Sequence, residues 1–223
     1  MQVSIFYSYN IGETMPNYFK LPLVTITEQH SKITEMEYLI DVLPKLSEDG
    51  PWIAGGSLLR TKIGLSITTD VDIFFKSEQQ LYEYKIKLQL DYEGKRFTYL
   101  TDSDSTYAKN VFIKYMDRKY KLQLIKRKFY DSPCKLLDDF DINICQLAYD
   151  GKSLYVEENA IQSIEDKTFY LNKISNGASI MSRCMKYASL GFRLPQSEIN
   201  KFFDTINKDP NKKHTLKDTY EGL

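Results

Sequence analysis

Apolar positions along this chain change period several times, and each change marks an element. In residues 31–43, Met36, Leu39, Ile40 and Leu43 recur at helical spacing behind the capping-box pair Thr34 and Glu37, and Pro44 ends the run. Trp52-Ile53-Ala54 is a short, wholly apolar run, read as a buried strand that stops at Gly55-Gly56. Residues 57–63 fit a short helix closed by Gly64, residues 65–69 a loop, and residues 70–75 a strand with acids at its start and aromatics at its end. Residues 78–90 read as a helix. Three segments rich in β-formers follow, at 96–101, 108–116 and 119–125. In the last of these Tyr120, Leu122 and Leu124 alternate with Lys119, Lys121 and Gln123, which predicts one buried and one wet face and antiparallel pairing through a turn near Asp117-Arg118. Residues 139–149 predict a further strand, Asp150-Gly151 a hairpin and residues 153–156 its return. Helices are expected at 158–164, 180–190 and 198–206, the second closed by Gly191. The ends say less. Residues 1–27 hold no sustained period and predict one short strand, and the polar, Lys-rich residues 208–223 predict no element.

Composition narrows the classes. With 42% hydrophobic and 27% charged residues and only 10 Gly and 7 Pro, the chain of 223 residues is globular and long enough to bury a core. Its 30 basic and 30 acidic side chains cancel, so nucleic-acid contact requires a local patch, and non-specific DNA coating is excluded. Cys134, Cys145 and Cys184 show no CxxC spacing and suit a reducing compartment. The N-terminus lacks the basic region of a secretion signal and no run approaches the ~20 apolar residues of a membrane span, so a cytoplasmic protein is expected. His30 and His214 stand without companions, which disfavours zinc chemistry and a serine or cysteine triad.

The informative chemistry lies between residues 55 and 142. Asp70 and Asp72, one residue apart on a strand, point to the same side, and two converging carboxylates call for a divalent cation to neutralise them. Magnesium fits, since it binds through one or two carboxylates together with substrate phosphate oxygens. Asp141, opening a neighbouring apolar strand, is placed to complete the set as metal ligand or base, with Asp139 as the fallback. Two Mg²⁺ ions held by these acids are expected to activate a hydroxyl and support a leaving pyrophosphate. Gly55, Gly56 and Ser57 allow close approach of backbone and hydroxyl to a triphosphate, with Arg60 one turn further on, where an exposed surface arginine is the competing reading.

Together these residues resemble the nucleotidyltransferase superfamily of DNA polymerase beta, CCA-adding enzymes and poly(A) polymerases. Gly55-Gly56-Ser57, Arg60, Gly64 and Asp70-Val71-Asp72 carry the first part of the likeness, and Asp139-Phe140-Asp141-Ile142-Asn143 is similar to the aspartate-phenylalanine-threonine-isoleucine-asparagine stretch of the CCA-adding group. Residues 183–192 resemble the arginine-rich helix that follows it. The resemblance implies an α/β (α+β) nucleotidyltransferase fold with a mixed, partly antiparallel sheet in residues 1–156 and a helical C-terminal segment in residues 157–223. It further implies transfer of a nucleoside monophosphate from an NTP to an acceptor hydroxyl, with RNA, such as a tRNA-like 3′ end, as the acceptor. Arg183 and Lys186 are implied to meet the triphosphate or base, against the alternative of the wet side of an amphipathic helix. Asp141 stands where the CCA-adding pattern has threonine, and the group's base-reading motif is reduced to Glu165-Asp166-Lys167, so selectivity for CTP and ATP does not follow. A non-catalytic binding protein on the same fold, or an enzyme that modifies a protein or small molecule, is the alternative. The basic and aromatic run of residues 114–130 either tracks a nucleic-acid backbone or is a solvated sheet face.

Overall fold

The computed structural model describes residues 18–22, 33–93 and 97–208. After β1 (Tyr18–Pro22) and α1 (Ile33–Val42) come β2 (Trp52–Ala54), α2 (Gly56–Lys62), β3 (Val71–Phe74) and α3 (Glu78–Glu93). A meander follows, β4 (Thr98–Asp104), β5 (Ala108–Tyr115) and β6 (Arg118–Ile125), then α4 (Pro133–Leu137), β7 (Leu147–Tyr149) and β8 (Ser153–Glu157). Three helices complete the described chain: α5 (Glu158–Glu165), α6 (Gly177–Ser189) and α7 (Gln196–Lys208).

The strands form one eight-stranded mixed sheet in the order β1-β8-β7-β2-β3-β6-β5-β4. Only β3 and β6 run parallel; every other neighbouring pair is antiparallel. Parallel neighbours need a long crossover, and α3 with the β4–β5 hairpin supplies it between β3 and β6. Period-two alternation divides the strands between two cores. Ile53, Val71, Ile73, Val111, Ile113, Leu122 and Leu124 pack with Met36 and Leu39 of α1, Leu58 and Leu59 of α2 and Leu81, Tyr84 and Leu88 of α3. Trp52, Ala54, Phe74, Ile125, Ala148 and Tyr155 form the second core under Leu136 and Leu137 of α4. Asp72, two residues from Phe74, belongs to this second side.

Three local expectations are corrected. Residues 139–146 form no continuous strand: α4, capped by Ser132 accepting from Lys135 N and opened by Pro133, leads through a turn and the isolated bridge residue Ile142 into a 3₁₀ turn at Asn143–Cys145, so the strand is confined to Leu147–Tyr149. Ser132-Pro133 was the available signal, an N-cap followed by a proline already set for the first helical turn. Thr34 lies inside α1 and not at its cap. The C-terminal helices begin a little earlier than their apolar faces suggested, α6 through Asn176, whose side chain accepts from Ser179 N, and α7 at Gln196. The expected turn at 116–118 is present, with Met116 and Asp117 at positive φ closing the β5–β6 hairpin.

Candidate functional site

Asp72 sits in the middle of the sheet, opposite Ala54 of β2 on one side and Gln123 of β6 on the other. The Gly55 turn folds directly over it. Gly55 has φ +88°, and a Cβ there would meet Phe140 Cε1 at 3.0 Å and lie 3.8 Å from Asp72 Oδ2. The position therefore needs glycine both for its backbone angle and for its closeness to the carboxylate. Gly56 opens α2 with Tyr187 Oη 3.9 Å from where its Cβ would be, and Tyr187 is tied in turn to Cys145 Sγ at 2.8 Å. Ser57 is buried.

Two buried oxygens at this spot lack a hydrogen-bond partner, Asp72 Oδ1 and Ser57 Oγ. Buried polar atoms are rarely left so, because each costs about 1–3 kcal/mol of lost hydration. Burial and the neighbouring Asp70 carboxylate push the Asp72 carboxyl up to about 7, against the opposing pull of Lys186, Lys121 and Arg183. Asp70, just ahead of β3, is held by Lys121, whose Nζ lies 3.1 Å from Asp70 Oδ2. A carboxylate pair with one orphaned oxygen fits a Mg²⁺ ion that also takes phosphate oxygens.

The expected third acid does not join them. Among the described residues, no three His, Cys, Asp or Glu side chains gather closely enough to hold an ion. Because residues 138–142 turn instead of extending, Asp141 faces α6, and Arg183 Nη1 reaches its Oδ1 at 2.8 Å and its Oδ2 at 2.7 Å. Burial raises the Asp141 carboxyl even against this arginine. Asp139, the fallback, is engaged by Lys128, by Lys173 at 2.9 Å and by Tyr130 Oη at 3.1 Å. Burial acts to raise Asp139, but these donors outweigh it and bring it down to about 2.

Arg60 is also differently employed. Its Nε donates to Ser66 O at 2.8 Å, which fastens the loop between α2 and β3. Glu35 of α1, unremarked in the sequence, secures the same loop by accepting from Ile67 N at 3.2 Å while pairing with Arg118 at 2.7 Å. Together they fix the approach to Asp70. Lys121 was visible as one of the wet residues of β6 and as part of the basic run of residues 114–130; its pairing with Asp70 depends on β3 and β6 being parallel neighbours, which no local pattern announces. The basic run is largely paired: Lys114 with Asp117, Arg118 with Glu35, Lys121 with Asp70, Lys126 with Asp104 and Lys128 with Asp139. Among the described residues no helix is long and apolar enough to cross a membrane.

Solved structures share this architecture. A CCA-adding enzyme in complex with CTP matches with a TM-score of 0.56 and 12% identity, covering 86% of this chain and 46% of its own. A CCA-adding enzyme in apo form I matches with a TM-score of 0.50 and 11% identity, over 74% of this chain and 39% of its own. The chain thus has a nucleotidyltransferase-like fold and spans less than half the length of these enzymes. No curated protein matches its sequence. Residues 25–167, well over half of the chain, match the family described as Gabija anti-defense 2 family protein, and the chain belongs to that family.

Proposed function

We propose that the protein is a Mg²⁺-dependent nucleotidyltransferase, and that this chemistry is how it acts against the Gabija defence for which its family is named. The observation that carries the reading is the Gly55-Gly56-Ser57 turn set over Asp72, with Asp72 Oδ1 and Ser57 Oγ both buried and unpartnered. Asp70 and Asp72 hold the cation. Gly55 and Gly56 would let the backbone approach the triphosphate closely, and Ser57 Oγ would donate to it. Lys186 and Arg183, whose charges already act on Asp72, offset its negative charge. Bound Mg²⁺ would supply Lewis-acid stabilisation of the phosphate charge. The acceptor hydroxyl forms a bond to the α-phosphorus, the bond to the β-phosphate breaks, pyrophosphate leaves and the hydroxyl proton passes to solvent. Asp141 acts by anchoring Arg183, not as a metal ligand.

RNA is the first acceptor to test, by analogy with the CCA-adding enzymes. The protein is incubated with each α-labelled NTP, Mg²⁺ and separate RNA, DNA and protein fractions of a host cell. Label in one fraction, lost with Asp72→Asn, is the expected result and identifies the acceptor class. No label in any fraction contradicts catalysis. A second reading, a nucleotide-binding protein without turnover, is favoured by the ion pairs that already occupy Asp70 and Asp141. It predicts thermal stabilisation by Mg²⁺-NTP with no pyrophosphate formed.

A further inference from the structure

We propose that a cavity beside α5 binds a linear polyamine, an extended chain with an ammonium group at each end. The cavity has a volume of about 560 Å³ and lies apart from Asp70, Asp72 and Ser57, none of which lines it. Its walls are side-chain amides, hydroxyls and three carboxylates, Asp138, Glu157 and Asp166, and among the described residues no Lys or Arg lines it. Nor, among the described residues, is any of these three acids paired with a cation, whereas Asp70, Asp139 and Asp141 each are. Such a wall repels phosphates and other anions, and an apolar ligand would strip its water without replacing the lost hydrogen bonds. The acids stand at the two ends of α5. Glu157 is its N-cap, accepting from Ala160 N at 3.1 Å, and Asp166 is its C-cap. A rise of about 1.5 Å per residue puts their backbones about 13 Å apart. Asp138 joins the Glu157 end through Tyr18, which donates to it. Burial first, then the hydrogen bond and charge of Asp138, with smaller pushes from Cys134 and Glu157, hold the Tyr18 hydroxyl well above its ordinary value. Between the ends, Asn159, Gln162 and Ser163 fall with Asp166 on one face of α5, at spacings of three and four. Asn143, donating to Ser163 Oγ at 2.7 Å, and Gln146, accepting from Asn172 Nδ2 at 2.8 Å, complete the wall in fixed orientations. Among the described residues no three acids gather closely enough to hold a metal ion, so the negative charge is drawn out along the helix and matches an extended cation, not a point charge.

Spermidine, which extends to a comparable length, is titrated into the full chain by calorimetry at physiological ionic strength, where diffuse attraction is screened. Putrescine, n-butylamine and an arginine-rich peptide are the comparison ligands. One spermidine per chain is expected, with the two shorter amines about tenfold weaker or more, because neither reaches both ends of the cavity. Asp138→Asn and Asp166→Asn should each weaken spermidine by about tenfold, the scale of one hydrogen bond to a charged group. Asp72→Asn should leave it unchanged, which separates this site from cation binding at Asp70 and Asp72. Melting curves establish that each variant is folded; if Asp138→Asn is not, the exposed Asp166 and the series of amines decide. Absence of spermidine binding, binding undiminished in both folded acid variants, or putrescine held as tightly as spermidine overturns the inference. Binding of the peptide in place of spermidine overturns it too, and assigns the cavity to the basic side chains of a protein partner. All these outcomes leave the nucleotidyl-transfer reading untouched.

Discussion

Arg183 Nη1 lies within 2.8 Å of both carboxylate oxygens of Asp141, joining α6 to the turn that precedes β7 across 42 residues of sequence. The Asp141 side chain is 11% exposed, so removing the arginine strands a buried charge. Arg183→Ala should destabilise the protein by about 1–3 kcal/mol, less than a fully buried pair because the arginine is a third exposed. Asp141→Asn should cost less, and the double variant less than the sum, giving a coupling of about 1 kcal/mol or more in a urea-denaturation cycle. Additive effects would show that the contact carries no energy.

Gly55 and Gly64 both have positive φ, but they differ in surroundings. A Cβ at Gly55 meets the Phe140 ring at 3.0 Å, whereas at Gly64 nothing lies within 4 Å. Gly64→Ala should cost about 1 kcal/mol from backbone conformation alone. Gly55→Ala should cost more, about 2–3 kcal/mol, and should weaken nucleotide binding, since Phe140 or the turn must shift against Asp72. Denaturation midpoints of the two variants check the order.

Much of this site was readable in the sequence because its parts are local. Strand, two glycines, short helix, loop and the Asp70-Val71-Asp72 strand follow one another within residues 52–74, and short-range patterns fix each of them. What escaped depends on contacts between distant segments. Asp139 to Ile142 has the alternation of a strand, yet Ile142 makes only an isolated bridge to Leu171, and Asp141 O accepts from Asn172 N. The partners of Asp70 and Asp141 likewise come from β6 and α6, through a sheet order and a helix placement that no nearby residue encodes. The expected third ligand failed for that reason.

Acidity at Asp72 gives a pH signature in the metal-free protein. Its folded carboxyl, at about 7, lies above the ordinary value of 3.8, so folding favours the protonated form. The sign follows: this contribution to stability is full below about pH 4 and is lost as pH rises through 7. Asp72→Asn removes the loss. In chelator-treated protein the variant should gain little at pH 4 and about 3–4 kcal/mol at pH 8 relative to the wild type, read from urea midpoints. A gain that does not grow with pH would mean that Asp72 is ionised without cost in the fold.

Pyrophosphate release is the most direct test of the account. Purified protein with Mg²⁺, an NTP and the acceptor fraction that takes up label should release pyrophosphate in step with labelled acceptor. Asp72→Asn and Asp70→Asn should each lower the rate at least a hundredfold while melting no lower than the wild type. Release that is absent from the wild type, or undiminished when either aspartate is replaced, would contradict a nucleotidyl-transfer centre built on these two residues.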